Sequence, residues 1–300
     1  MEPELNPRER ACILLHEIYS IIDYVGQRSN NKTLEELGIV NYTFLELINR
    51  VARNADALHV LINKNNFLEE NRQPLMVLLR AMISDLFIGV YLFQFKSDPT
   101  SFQNEVNVLD RDFASFAEFM IKEEPSYGFI AKEYGKLKSA EEIEKFSSEK
   151  KQEFIEAHIN LYVEENGSHR LRTNSELRSS SNDIFFEFAK SDSSIIIDKK
   201  HSIKEKYVFD RLKSLTTVEE SHLKAITYAY LQYRGLSQYC HFSMLPVHIL
   251  NKEPEDETSW IANGIGQSCV LLNFILIALE IDEERHKQFV ATFSKYFGTA

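Results

Sequence analysis

The sequence predicts an all-α protein, a multi-helix bundle of long antiparallel helices with a helical insertion in the middle. Apolar residues recur at helical rather than strand spacing along most of its 300 residues. Glycine and proline are scarce, 10 and 7 in the chain, which suits long helices on short loops and not a turn-rich β fold. A hydrophobic share of 44% supplies a substantial core, and 21 Phe with 13 Tyr predict ring-packed helix interfaces.

The first helix is expected from Pro7 or Arg8 to about Gly26, with Leu14, Leu15, Ile18, Ile21, Ile22 and Val25 on its apolar face. Asn41 or Thr43 can cap a second, burying Phe44, Leu47, Ile48, Val51, Ala55, Leu58 and Ile62. The third, about Asn71 to Lys96, is apolar nearly all round and should be the most buried. Ser97-Asp98-Pro99-Thr100 ends it and starts a fourth that passes Phe113, Phe116 and Phe119 to about Glu124.

From 125 to 215 the character changes. SAEEIEKFSSEKKQEF reads as an exposed helix, GSHRLRTNSELRSSS (167–181) as a polar basic loop, and SSIIIDKK as a brief strand or short helix. This stretch is expected to be a peripheral insertion in a single domain spanning 1–300, whose core is 7–124 and 216–298. Thr217 and Glu220 form a capping-box pattern at the head of a long helix to about Met244, before Pro246. An acidic loop from Asn251 to Thr258, an apolar helix from Trp260 to Ile281 and an amphipathic helix ending at Phe297 complete the chain.

A formal net charge of −11 and a pI near 5.4 argue against a duplex nucleic-acid binder, because such affinity comes from neutralising phosphates. Cys12, Cys240 and Cys269 are odd in number, far apart and set among apolar residues, so they read as reduced core thiols. The N-terminal MEPELNPRER has neither signal-peptide nor basic targeting character. Leu75–Phe95 is interrupted by Arg80 and Asp85, and Ser268–Ile281 is too short to span a bilayer, so both read as core helices and no membrane role is expected. A cytoplasmic protein is the expectation.

One polar stripe is the best candidate site. Tyr230, Arg234, Ser237 and His241 recur at i, i+4, i+7 and i+11 among apolar neighbours, on one helical face. Burying an arginine and a histidine without partners is costly, so they should meet partners, solvent in a cleft, or a ligand. Arg80 and Asp85 on the apolar third helix pose the same problem, and an ion pair from Arg234 to Asp85 would answer it. Glu219–His222 and Glu283–His286 have the Glu-x-x-His spacing of di-iron bundles, but their charged surroundings read as solvated faces. A di-metal carboxylate oxidase is therefore only a third reading, and no metal ligand or cofactor is assigned. His169, Arg170, Arg172 and Arg178 could meet phosphate or an acidic partner, and GIGQ (264–267) can allow close helix packing.

YRGLSQYCHFS (233–243) resembles a Tyr-Arg-x-Leu-Ser-x-Tyr-x-His-x-Ser signature of poorly characterised bacterial all-helical proteins, in which an earlier helix carries an arginine and then an acidic residue, as LRAMISD (79–85) does here. The stripe also resembles the Arg-x(4–6)-His motif of HEPN domains. That resemblance implies a metal-independent ribonuclease of a toxin or defence system, with a composite cleft at a homodimer interface. His241 would act on the attacking 2′-OH and Arg234 would hold the scissile phosphate. Arg10–His16 and Arg53–His59 match the same spacing, and Gly235 stands where the motif often has a polar residue. Two functions stay open: a helical binding or regulatory protein acting on a protein or small ligand through a cleft near Arg234, and the ribonuclease acting on RNA.

Overall fold

The computed structural model describes residues 5–29, 32–64, 67–127, 139–180, 200–214, 220–237 and 254–297. Among these residues are ten α-helices and one two-stranded hairpin, so the protein is an all-α multi-helix bundle, as composition and periodicity predict. The chain divides into two compact units. Of the described residues, one comprises those within 5–99 and 204–297, and the other those within 100–180 and 200–203.

The first unit opens with α1 (Pro7–Ser29), which buries all six apolar residues expected of it. In α2 (Leu34–Ile62) the start differs from expectation. Thr33 is the N-cap, in a reciprocal capping box with Glu36, and Gly38 then kinks the helix at φ 71°, ψ 159°. Asn41 is no cap: its amide donates to the Leu37 carbonyl one turn back. The long helix α3 (Phe67–Phe93) packs against α2, α7 (Glu205–Ser214), α8 (Glu220–Ser237) and α9 (Pro254–Ala278), and so is central. Leu75, Met76, Leu79, Met82, Ile83, Leu86, Phe87 and Val90 are buried around it. The last helix, α10 (Glu283–Phe297), packs on α1 and α9, and Arg285 reaches Glu17 at 2.7 Å.

Two corrections concern α9. It begins at Pro254, inside the expected acidic loop, because Asp256 and Glu257 occupy its first turns, where carboxylates favour the helix dipole. It is also long and apolar enough to cross a membrane by length and composition, as is α3, over Asp256–Ala278 and Asn71–Phe93. In both, about two-thirds or more of the apolar window is buried within the fold (72% and 67%), the pattern of core helices.

The second unit contains α4 (Pro99–Tyr127), α5 (Ala140–Ala157), a 3₁₀ turn (Ile159–Leu161), strands β1 (Tyr162–Glu165) and β2 (Ser168–Leu171), and the single turn α6 (Asn174–Leu177). Its start at Thr100, not near 125, has a packing cause. Val108 and Ala114 of α4 share a core with Ile155, Leu161, Tyr162 and Leu177. At the other boundary, α7 packs on α3 and α8 and belongs to the first unit.

The expected basic loop 167–181 is in fact ordered. Asn166 and Gly167, at φ 53° and 77°, make the tight turn that two-residue hairpins need, and Tyr162 pairs with Leu171 across the ladder. A capping box from Thr173 to Glu176 starts α6. Arg178 is buried, not solvated. Its Nε and Nη2 donate to both oxygens of the fully buried Glu105 at 2.8 Å each, and Nη1 donates to the His201 carbonyl at 2.6 Å. The SSIIIDKK segment lies outside the described residues except at its last lysine.

Candidate functional site

Three helices of the first unit converge on the polar stripe. From α3, Arg80 donates through Nε to the Ser237 hydroxyl and through Nη2 to the Tyr233 phenol, both at 3.0 Å, with its guanidinium carbon 5.1 Å from the Tyr233 ring centre. One turn on, the Ser84 hydroxyl donates to Glu205 Oε1 at 2.6 Å. Glu205, at the head of α7, also lies close to the Tyr233 phenol. On α8, Ser237 donates its own proton to the Tyr233 carbonyl at 2.8 Å, which fixes its oxygen to accept from Arg80. Arg80, Tyr233, Glu205, Ser84 and Ser237 thus form one continuous network tying α3, α7 and α8 together.

Tyr230 stands beside it. Its ring stacks on Phe209 of α7 at 4.2 Å and meets Phe87 of α3 edge-on at 6.2 Å, while Arg234 lies beside its phenol. Burial raises the phenols of both Tyr230 and Tyr233 above the ordinary tyrosine range; Arg234 opposes that at Tyr230, and Glu205 adds to it at Tyr233. Both stay protonated hydrogen-bond donors at neutral pH. Arg234 is exposed.

Of the stripe, Ser237 meets Arg80, and Tyr230 and Arg234 lie beside that network. His241 and Cys240 lie outside the described residues. The expected ion pair between Arg234 and Asp85 does not form. Asp85 is five residues beyond Arg80, about 140° around the helix, so it faces elsewhere. There Arg50 of α2 binds its Oδ1 at 2.9 Å, and Oδ2 is buried without a partner. Burial, opposed by Arg50, raises the Asp85 carboxyl above the ordinary carboxylate range. Tyr233 opens the YRGLSQYCHFS signature but is not among the candidate site residues, and Glu205, in a charged stretch, carries no sequence signal.

The other candidates resolve as local contacts. His222 packs edge-on against Phe274 at 5.0 Å, and Glu219 lies outside the described residues. Glu283 pairs with Lys287 at 2.6 Å, whereas His286 hydrogen-bonds Asn273 at 2.6 Å, so the second Glu-x-x-His pair does not converge. Among the described residues no group of three or more His, Cys, Asp or Glu side chains could hold a metal ion. Arg170 is held by Glu165 and Glu176, and the Arg172 Nε donates to the Tyr162 carbonyl. Arg53 is exposed on a cleft of about 380 Å³ with Tyr19, Asp23 and Asn49. Cys12 donates weakly to Asn63, and burial raises the Cys269 thiol far above its usual range.

No family model, curated protein or solved structure matches this chain. The likeness of YRGLSQYCHFS to HEPN-type signatures rests on those residues alone.

Proposed function

We propose that this is a non-catalytic helical binding protein that engages a carboxylate or phosphate of its partner through Arg234. The observation that supports the reading is the contrast within the site. Arg234 is exposed, while the hydroxyl and carboxyl groups of Ser84, Glu205, Tyr233 and Ser237 already bond one another or Arg80. Groups so engaged make a rigid platform and poor nucleophiles or bases. A guanidinium braced beside a phenol suits recognition of a planar anion. A cytoplasmic setting belongs to this reading, supported by the free thiols of Cys12 and Cys269.

The test is calorimetric titration with a Glu-rich peptide and with inorganic phosphate, on the parent and on Arg234→Ala. Removing one charged hydrogen bond should weaken binding about tenfold or more, with no change in Tm because Arg234 is exposed. If neither probe binds the parent, the reading fails.

The exposure of Arg234 also favours a second reading, the metal-independent ribonuclease, in which His241 supplies the acid–base group and a second copy completes the cleft. RNA cleavage by the parent, abolished in both Arg234→Ala and His241→Ala, would replace the first reading with this one.

A further inference from the structure

The flank of α8 away from the Arg80 network forms a second feature. Tyr228, Leu231 and Gln232 lie one turn apart there, and Trp260, Asn263 and Gln267 recur at i, i+3 and i+7 on α9. Between them is a cleft of about 450 Å³, closed at one end by Phe297. Two glycines shape it. A Cβ at Gly235 would stand 2.9 Å from Trp260 Cζ2, and one at Gly266 would run into the Phe297 ring, so each ring can lie flat only where its glycine is.

The chemistry of the wall is specific. Three side chains are aromatic, three are carboxamides, and none carries a charge at neutral pH. Gln232 and Gln267 are each only 8% exposed. The Gln232 amide nitrogen donates to the Trp260 carbonyl at 2.9 Å. Gln267 lines the cleft, and its Oε1, buried in the free protein, has no hydrogen-bond partner there. Tyr228 and Leu231 at the rim are 52% and 59% exposed, more apolar surface than an unoccupied groove needs.

We propose that this cleft binds the base of an unphosphorylated nucleoside. A heterocyclic base offers a flat face to stack on an aromatic side chain and an edge of donors and acceptors that carboxamides match in pairs. The orphaned Gln267 oxygen takes a ring or exocyclic N–H of the base, and Asn263 reads the rest of the edge. The cleft is of the size that encloses a small ligand. A phosphate has no counter-charge on this wall, so a nucleotide binds less well than its nucleoside. The site is separate from Arg234, and neither proposal depends on the other.

The chain has one tryptophan, and it lines the cleft, so its fluorescence reports occupancy directly. The full-length protein is titrated with adenosine, guanosine, cytidine and uridine, with the matching monophosphates, and with N-acetylglucosamine as a neutral ring that stacks without a base edge. A saturable change with at least one nucleoside is expected. The dissociation constant should rise at least tenfold in Gln267→Leu and in Tyr228→Ala. Tyr228 is exposed, so Tyr228→Ala keeps the test valid should Gln267→Leu fail to fold. The proposal is overturned if no nucleoside changes the fluorescence, if only the sugar does, if the monophosphates bind more tightly, or if the folded cleft variants bind as the parent does.

Discussion

Replacing Arg178 by alanine removes two parallel charged hydrogen bonds from a carboxylate that is 0% exposed, and a third from the His201 carbonyl. Stripping one partner from a buried pair costs about 3–5 kcal/mol, because the remaining charge stays desolvated. Replacing both by apolar residues of similar size is near neutral. Arg178→Ala should therefore destabilise the second unit by about 3–5 kcal/mol, and Glu105→Leu with Arg178→Met should recover most of that. Hydrogen exchange at the β1 and β2 amides reads this unit by itself. If those amides exchange by opening of the whole unit, the single variant speeds exchange roughly 10²- to 10⁴-fold. A change below tenfold would refute the reasoning, since it would mean that water replaces the guanidinium. A double variant as weak as the single would show that the packing of Arg178, not its charge, is what matters.

Two further outcomes follow from titration. Burial raises the Tyr162 phenol well above the usual tyrosine range, helped by its hydrogen bond to Glu118 at 3.0 Å. The native state then keeps a proton that the unfolded chain releases, so stability falls as pH rises above about 10; spectrophotometric titration should show a late tyrosine besides Tyr230 and Tyr233, absent in Tyr162→Phe. Asp85 also has a raised native pKa, so it takes up its proton before the unfolded chain does, and its contribution to stability grows as pH falls through that native value. Arg50→Ala should accordingly cost up to about 1 kcal/mol at neutral pH, a small figure because Arg50 is 69% exposed, and almost nothing once Asp85 is protonated; an equal cost at both pH values would refute this, as would persistence of the difference in Asp85→Asn.

The helical faces were legible because their periodicity is local: all six residues assigned to the buried side of α1 are there. The expected start of α2 at Asn41 or Thr43 falls just after the Gly38 kink; the helix begins earlier because Thr33 and Glu36 form a capping box upstream of it. The hairpin was missed for a different reason. Asn166-Gly167 is a strong turn signal, but its strands carry charged residues on their outer face and resemble a solvated loop. At the site, Arg80 and Ser237 were picked out singly, as polar residues in apolar helices. That they bond directly, 157 residues apart, is a tertiary fact that helical spacing does not encode. Once Arg80 faces α8, Asp85, five residues on, cannot share that face, so the Arg234–Asp85 pair fails for the same tertiary reason.

The discontinuity of the first unit bears on the order of events during synthesis. The apolar helix α3 is complete at Phe93, yet α9, which covers one of its sides, ends only at Ala278, roughly 180 residues later. At about 5–20 residues per second that interval is about 10–40 s. For most of that time this apolar segment has α2 against it but neither α8, complete only at Ser237, nor α9. The second unit is made within the interval and draws almost entirely on consecutive residues, so it can fold while the first is still waiting. Ribosome-associated chaperones should therefore hold nascent chains stalled after α3 far more strongly than chains stalled after α9.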